Sequence, residues 1–167
     1  MATLVIRKIN NAEEYIEARH LLQKTWQNAY KNILPTDRLM QLPADYLENR
    51  LQRKNRHNLV AIKDKKIIGI VSWGPNRQAN SQTQNGELMS IYVLPEYQGK
   101  GIGKKLLLRA EDELKKKWSE ATLWVLKDNK AAVRFYEQCG WKMTDNSFNA
   151  EILGKEVALI QMSKSYK

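Results

Sequence analysis

Glu87–Leu108, with the sequence ELMSIYVLPEYQGKGIGKKLLL, reads as a strand, a glycine loop and the start of a helix. Leu88 to Leu94 is mostly apolar and runs into Pro95. Glycines then stand at 99, 101 and 103, and Ile102, Leu106, Ala110 and Leu114 recur at helical spacing. Glycines at alternate positions leave a backbone whose N–H groups can approach a ligand closely, and a helix opening there adds the positive end of its dipole. That combination suits a phosphate.

Two nucleotide fingerprints fail on named residues. A dinucleotide loop beginning at Gly99 would need glycine where Lys104 stands. A Walker A loop ending at Gly103-Lys104 would need glycine at Gln98 and a hydroxyl at Lys105. The pattern that remains, Gln98-x-x-Gly101-x-Gly103 after a strand ending Ile91-Tyr92-Val93, resembles the acyl-coenzyme A signature of the GNAT superfamily of N-acetyltransferases. A second stretch carries the same likeness. Asn129, Ala132 and Tyr136, followed by Gly140-Trp141, match the second cofactor-binding motif of that family, and Asn129 and Tyr136 are two helical turns apart on one face. The likeness covers residues 60–145 well and is looser before 58, where TWQNAYKNILP is similar to the acceptor-side helices of many bacterial members.

The resemblance implies an α/β fold with a mixed, mostly antiparallel sheet of about seven strands. About four helices would lie on its two faces, and strands four and five would splay around a pantetheine arm. It implies acetyl-coenzyme A as acetyl donor and no metal. Ile91, Tyr92, Val93, Gln98, Gly99, Lys100, Gly101, Ile102, Gly103 and Lys104 would bind it, with Asn129 and Tyr136 from the second motif. Lys105 is a further cation at the loop. Tyr136 would protonate the departing sulfur, as a phenol of pKa about 10 can at neutral pH. Glu87 stands where the histone-acetylating branch carries its catalytic glutamate; it is the candidate base, alongside the plain alternative of an exposed glutamate at a strand mouth. Some members that acetylate protein N-termini carry a glutamate on the fifth strand; here that position is Trp124. Trp124, Trp26 and Tyr30 are instead candidates to line the acceptor pocket, or plain core.

Working outward, Leu4 to Ile9 reads as a first strand, and Asn11 caps a helix running to about Trp26. Ile33-Leu34-Pro35 breaks it, and Leu39, Leu42, Tyr46 and Leu51 continue an amphipathic pattern interrupted by Pro43. Leu59–Lys63 and Ile67–Trp73 read as strands of a hairpin turning at Asp64-Lys65-Lys66. Pro75 to Gly86 is polar and reads as a mobile loop. After the central helix, Ala121–Leu126 is a fifth strand and Lys130–Cys139 a helix stopped by Gly140. Trp141–Thr144 and Val157–Met162 close the chain as strands joined by a polar loop through Asp145-Asn146-Ser147.

The 167 residues suit one domain, 1–167, able to bury a core without disulfide or metal. Cys139 is the single cysteine, and His20 and His57 are too far apart in sequence for zinc-ligand spacing. No apolar run approaches a membrane span, which suits a cytoplasmic protein without a membrane partner. The net charge of +10 favours an anionic partner, yet the lysines are scattered among acids, which suits nucleic acid poorly.

The sequence thus leads to an N-acetyltransferase acting by direct attack in a ternary complex of coenzyme A ester and primary amine. FYEQCGWKMTDNSF and the pattern around Glu87–Val93 look like the branch containing polyamine acetyltransferases, so a polyamine or other small amine is favoured over a protein as acceptor. A non-catalytic acyl-coenzyme A sensor is the alternative. Homodimers are common in the family, and nothing in this sequence specifies an interface.

Overall fold

A computed structural model describes residues 3–42, 51–77 and 85–167. Seven strands form one sheet in the order β1-β2-β3-β4-β5-β7-β6: β1 Val5–Arg7, β2 His57–Lys63, β3 Lys66–Pro75, β4 Gly86–Val93, β5 Glu120–Leu126, β6 Lys142–Ile152 and β7 Lys155–Ser165. Four helices, α1 Ala12–Ala29, α2 Thr36–Met40, α3 Ile102–Lys117 and α4 Lys130–Gln138, complete the fold among the described residues. All neighbouring strands are antiparallel except β4 and β5, which run parallel and are joined through α3.

Local chemistry accounts for the elements. Asn11 Oδ1 accepts the Glu14 N–H and starts α1, which runs to Ala29, one turn beyond the expected end, because no breaker occurs before Pro35. Asp64 and Lys65 turn the β2–β3 hairpin with positive φ. β3 is buried from Ile67 to Gly74 without alternation, so the sheet is covered on both faces there. α3 presents Ile102, Leu106, Ala110 and Leu114 to it as its spacing foretold, all buried.

One expected loop is strand. Asp145-Asn146-Ser147 lies within β6, where the register with β7 shifts between Met143 and Ser147. β6 is an edge strand, exposed on both faces for much of its length, so it tolerates polar residues and a bulge. Thr144 Oγ1 and Asn146 Nδ2 both donate to Gln161 Oε1, each at 2.8 Å, and take the bulge's polar groups out of competition with the ladder. The first strand is also shorter than Leu4–Ile9. Pro43 and Tyr46, and positions 78–84 of the polar stretch, lie outside the described residues.

Behind the sheet, Lys164 Nζ lies 2.7 Å from Glu111 Oε1 and donates to the Cys139 carbonyl at 2.8 Å. This ties α3 and β7 to the C-terminal end of α4. Gly140, with φ +94°, then stops that helix as expected.

Candidate active site

β4 and β5 are paired only at Gly86↔Ala121 and Glu87↔Thr122. Beyond these the strands separate, and the β3–β4 register slips between Ser72 and Trp73, a bulge that bends β4 near the parting point. The edge of β4 that faces β5 is therefore open at Ile91–Val93. A cleft of about 720 Å³ follows from the gap.

Gly99, Gly101 and Ile102 form one end of this cleft. Gly99 (φ +78°) and Gly101 (φ +82°) adopt the left-handed conformation, and a Cβ built on either meets nothing within 4 Å. The requirement for glycine there comes from backbone conformation and from the space left over the loop. α3 begins at Ile102 with Gly101 as N-cap and no side-chain cap, so its first amides are available to an anion. Lys104 lines the cleft beside them. Lys100 does not line it: its ammonium lies over the Tyr97 ring, 5.6 Å from the centroid. Gln98 Nε2 donates to the Val93 carbonyl at 2.9 Å, so this side chain ties the loop to the end of β4.

The opposite wall is α4. Asn129 Oδ1 caps it by accepting the Ala132 N–H at 3.3 Å, and Asn129, Ala132 and Tyr136 all line the cleft. Tyr136 is nine-tenths buried, and this burial pushes its phenol well above the ordinary tyrosine pKa, with smaller contributions from Tyr92 and Cys139. It stays protonated at any physiological pH. Cys139 caps the end of the same helix, lies outside the cleft lining, and has its thiol pKa raised by burial.

The third wall is aromatic. Trp26 of α1 and Tyr30, which caps its C-terminal end, meet edge to face with centroids 5.2 Å apart, and the Tyr30 and Tyr92 hydroxyls are 3.0 Å apart. Trp124 of β5 faces them across the gap and packs edge to face on Phe148 at 4.7 Å. All three acceptor-side candidates, Trp26, Tyr30 and Trp124, thus line the same cleft as Ile91, Tyr92, Val93, Gln98, Gly99, Gly101, Ile102, Gly103, Lys104, Asn129 and Tyr136.

Glu87 does not join them. It is 2% exposed, outside the cleft lining, and its Oε2 lies 2.6 Å from Arg77 Nη2 while Oε1 accepts from the Arg77 backbone and Nε. Spacing along β4 put Glu87 on the right strand; the partner that occupies it sits on the far side of a polar stretch and gave no sequence signal. Tyr92, by contrast, was legible only for its backbone, and its hydroxyl pairing with Tyr30 is a tertiary fact. No described Asp, Glu or His lines the cleft. Among the described residues no group of three or more His, Cys, Asp or Glu could hold a metal ion, and no helix is long and apolar enough to cross a membrane.

Comparison with known proteins gives one family. The model for the Acetyltransferase (GNAT) family matches residues 15–141. An uncharacterized N-acetyltransferase of Bacillus subtilis (strain 168) is 30% identical over 141 residues, 81% of this chain and 80% of that protein. The spermidine N(1)-acetyltransferase of Thermoplasma acidophilum is 34% identical over 99 residues, 59% of this chain and 58% of that one. The crystal structure of the PaiA N-acetyltransferase from Thermoplasma acidophilum in complex with coenzyme A superposes with a TM-score of 0.76 at 27% identity, covering 98% of this chain and 99% of the other.

Proposed function

This chain belongs to the GNAT family of acetyltransferases, and from that premise we propose that it transfers an acetyl group from acetyl-coenzyme A to a primary amine by direct attack within a ternary complex. The observation that carries the reading is the open β4 edge, which leads from the glycine loop at Gly99–Gly103 to the buried phenol of Tyr136. Such an edge accepts an amide-bearing chain as an added strand, so the backbone of Ile91 and Val93 suits a pantetheine arm. The free amides at the start of α3, with Lys104 beside them, suit its pyrophosphate. Bound in this way, acetyl-coenzyme A supplies an activated thioester.

The residues of the chain then divide the remaining work. In the exchange, the amine nitrogen forms a bond to the acetyl carbon, the carbon–sulfur bond breaks, the nitrogen loses one proton and the sulfur gains one. Tyr136 gives its proton to the sulfur and recovers one from solvent. Its raised pKa keeps it in the donating form. Glu87 is held by Arg77, so we assign it to the scaffold and leave removal of the amine proton to water. The apolar walls help, because desolvation lowers an ammonium pKa and favours the neutral, attacking amine. Cys139, outside the cleft, takes no part in a covalent relay; intersecting double-reciprocal lines are expected, and parallel ones would sink direct transfer.

The first test is thermal unfolding with and without acetyl-coenzyme A, followed by coenzyme A release across a panel of amines. At a hundred times its dissociation constant a ligand adds about 2.7 kcal/mol to stability. A rise in melting temperature together with amine-dependent release is expected. A rise without release from any amine would leave an acyl-coenzyme A sensor, and no rise at all would remove the reading.

A further inference from the structure

Resting on the acetyltransferase reading, we propose that the acceptor is a primary monoamine carried on an aromatic or alkyl body, with no second charge. The half of the cleft away from the glycine loop is walled by Trp26, Tyr30, Leu34, Trp124, Ile152 and Leu159. These come from α1, the segment after it, β5, β6 and β7, so five separate parts of the chain contribute apolar or aromatic side chains, with Thr25 and Asn28 as polar lining residues on the α1 side. The Tyr30 hydroxyl pairs with Tyr92, and the Trp124 ring packs against Phe148. None of the described residues lining this half is Asp, Glu, Lys or Arg; Lys104, the one charged residue among the described lining, is at the phosphate end.

Among the described residues, charge argues against the polyamine expected from the sequence. A polyamine carries at least one ammonium besides the one that reacts, and a charge taken into apolar walls needs a partner. The surroundings make this worse. Lys155 Nζ donates to the Ile33 carbonyl at 2.7 Å, next to Leu34, and the Arg38 guanidinium lies against Gly154 in the turn after Ile152. Both cations sit just outside the aromatic half, on a chain of net charge +10. An amine bearing an acid group would meet these cations at the rim and then lose them on entering. An aryl or alkyl body buries apolar surface against the aromatic and aliphatic walls, and aromatic faces tolerate a single ammonium on its way in.

The experiment compares kcat/KM of the full chain, at saturating acetyl-coenzyme A, for phenethylamine, tyramine, hexylamine, spermidine and 2-aminoethylphosphonate. At least a tenfold preference for one of the first three over both of the last two is expected. Equal or better use of spermidine or of the phosphonate overturns the proposal. Phe148→Ala, at an exposed position on the edge strand, and Trp124→Ala are each expected to raise KM for phenethylamine severalfold while leaving KM for acetyl-coenzyme A within twofold. An unchanged phenethylamine KM in both overturns it. A readout free of turnover is tryptophan fluorescence during titration of the coenzyme A complex with phenethylamine. A saturable change, weakened in Trp124→Ala, is expected, and none in the parent protein counts against the proposal. Failure of the parent reading looks different: no stabilisation by acetyl-coenzyme A and no release with any amine, which would take this inference with it.

Discussion

Arg77 grips Glu87 with two side-chain contacts, Nη2 to Oε2 at 2.6 Å and Nε to Oε1 at 3.2 Å, at the point where β4 is still paired with β5. Glu87 is buried while Arg77 is half-exposed, so the two ends of the pair differ in what their removal leaves behind. Arg77→Ala strands a buried carboxylate and is expected to cost about 3 kcal/mol, the scale for breaking one side of a buried pair. Glu87→Gln keeps the shape and loses the charge, and should cost less. Denaturant unfolding measures both. If Glu87 is scaffold, the Gln variant also keeps kcat within about tenfold and leaves its pH profile in place; a loss of about 10²-fold or more, the scale for removing a general base, would return Glu87 to the chemistry.

How the sequence related to this site turned on which interactions are local. The glycine loop, the helix behind it and the Asn129 cap are set by residues within a few positions of one another, and each stands where its spacing indicated. The Arg77–Glu87 pair, the Tyr30–Tyr92 contact and the seating of Trp124 on Phe148 join distant segments, and no period or motif encodes them. The β6 bulge escapes the sequence for the same reason. Asp145-Asn146-Ser147 has turn chemistry taken alone, and only pairing with Gln161 across β7 holds it in the sheet.

Acid should weaken the start of α1 first. Glu14 bonds both Arg7 guanidinium nitrogens and accepts the Asn10 N–H, and the Arg7 hydrogen bond chiefly, with that backbone N–H second, holds its carboxyl down at about 2. A depressed carboxylate pKa contributes stability that is complete above the unfolded value of about 4.3 and is lost as pH falls from there through about 2. Melting curves of the parent and Glu14→Gln are expected to differ at pH 7 and to converge as pH falls through that window. A constant difference down to pH 2 would contradict the assignment.

Gly101 serves two ends at once, the left-handed turn and the clear space above the loop. Gly101→Ala imposes a side chain on φ +82°, a strain of about 1 kcal/mol, and puts a methyl group where a phosphate would approach. A small fall in melting temperature is expected, with a much larger rise in KM for acetyl-coenzyme A. Gly140→Ala, at φ +94° in a turn that does not line the cleft, is the control for strain alone. If both variants shift KM equally, the loop acts through folding and not through its ligand.

Tyr136 is the residue on which the chemistry depends most directly. Its ring packs edge to face on Phe135 and Trp141, while its hydroxyl makes no hydrogen bond to another described residue, so Tyr136→Phe preserves the packing and deletes only the hydroxyl with its proton. The expected loss in kcat is about 10²–10⁴-fold, the range for a positioned general acid, with melting temperature and acetyl-coenzyme A binding nearly unchanged. Because burial raises the phenol pKa, the folded protein holds this proton more tightly than the unfolded chain. The stability linked to it is intact below the unfolded value of about 10 and declines only as pH rises beyond that. Activity should therefore show no alkaline loss from Tyr136 across the neutral range, and any rise with pH there belongs to the amine losing its proton. A Phe variant that keeps parental kcat with a good amine acceptor would show that the sulfur takes its proton from water.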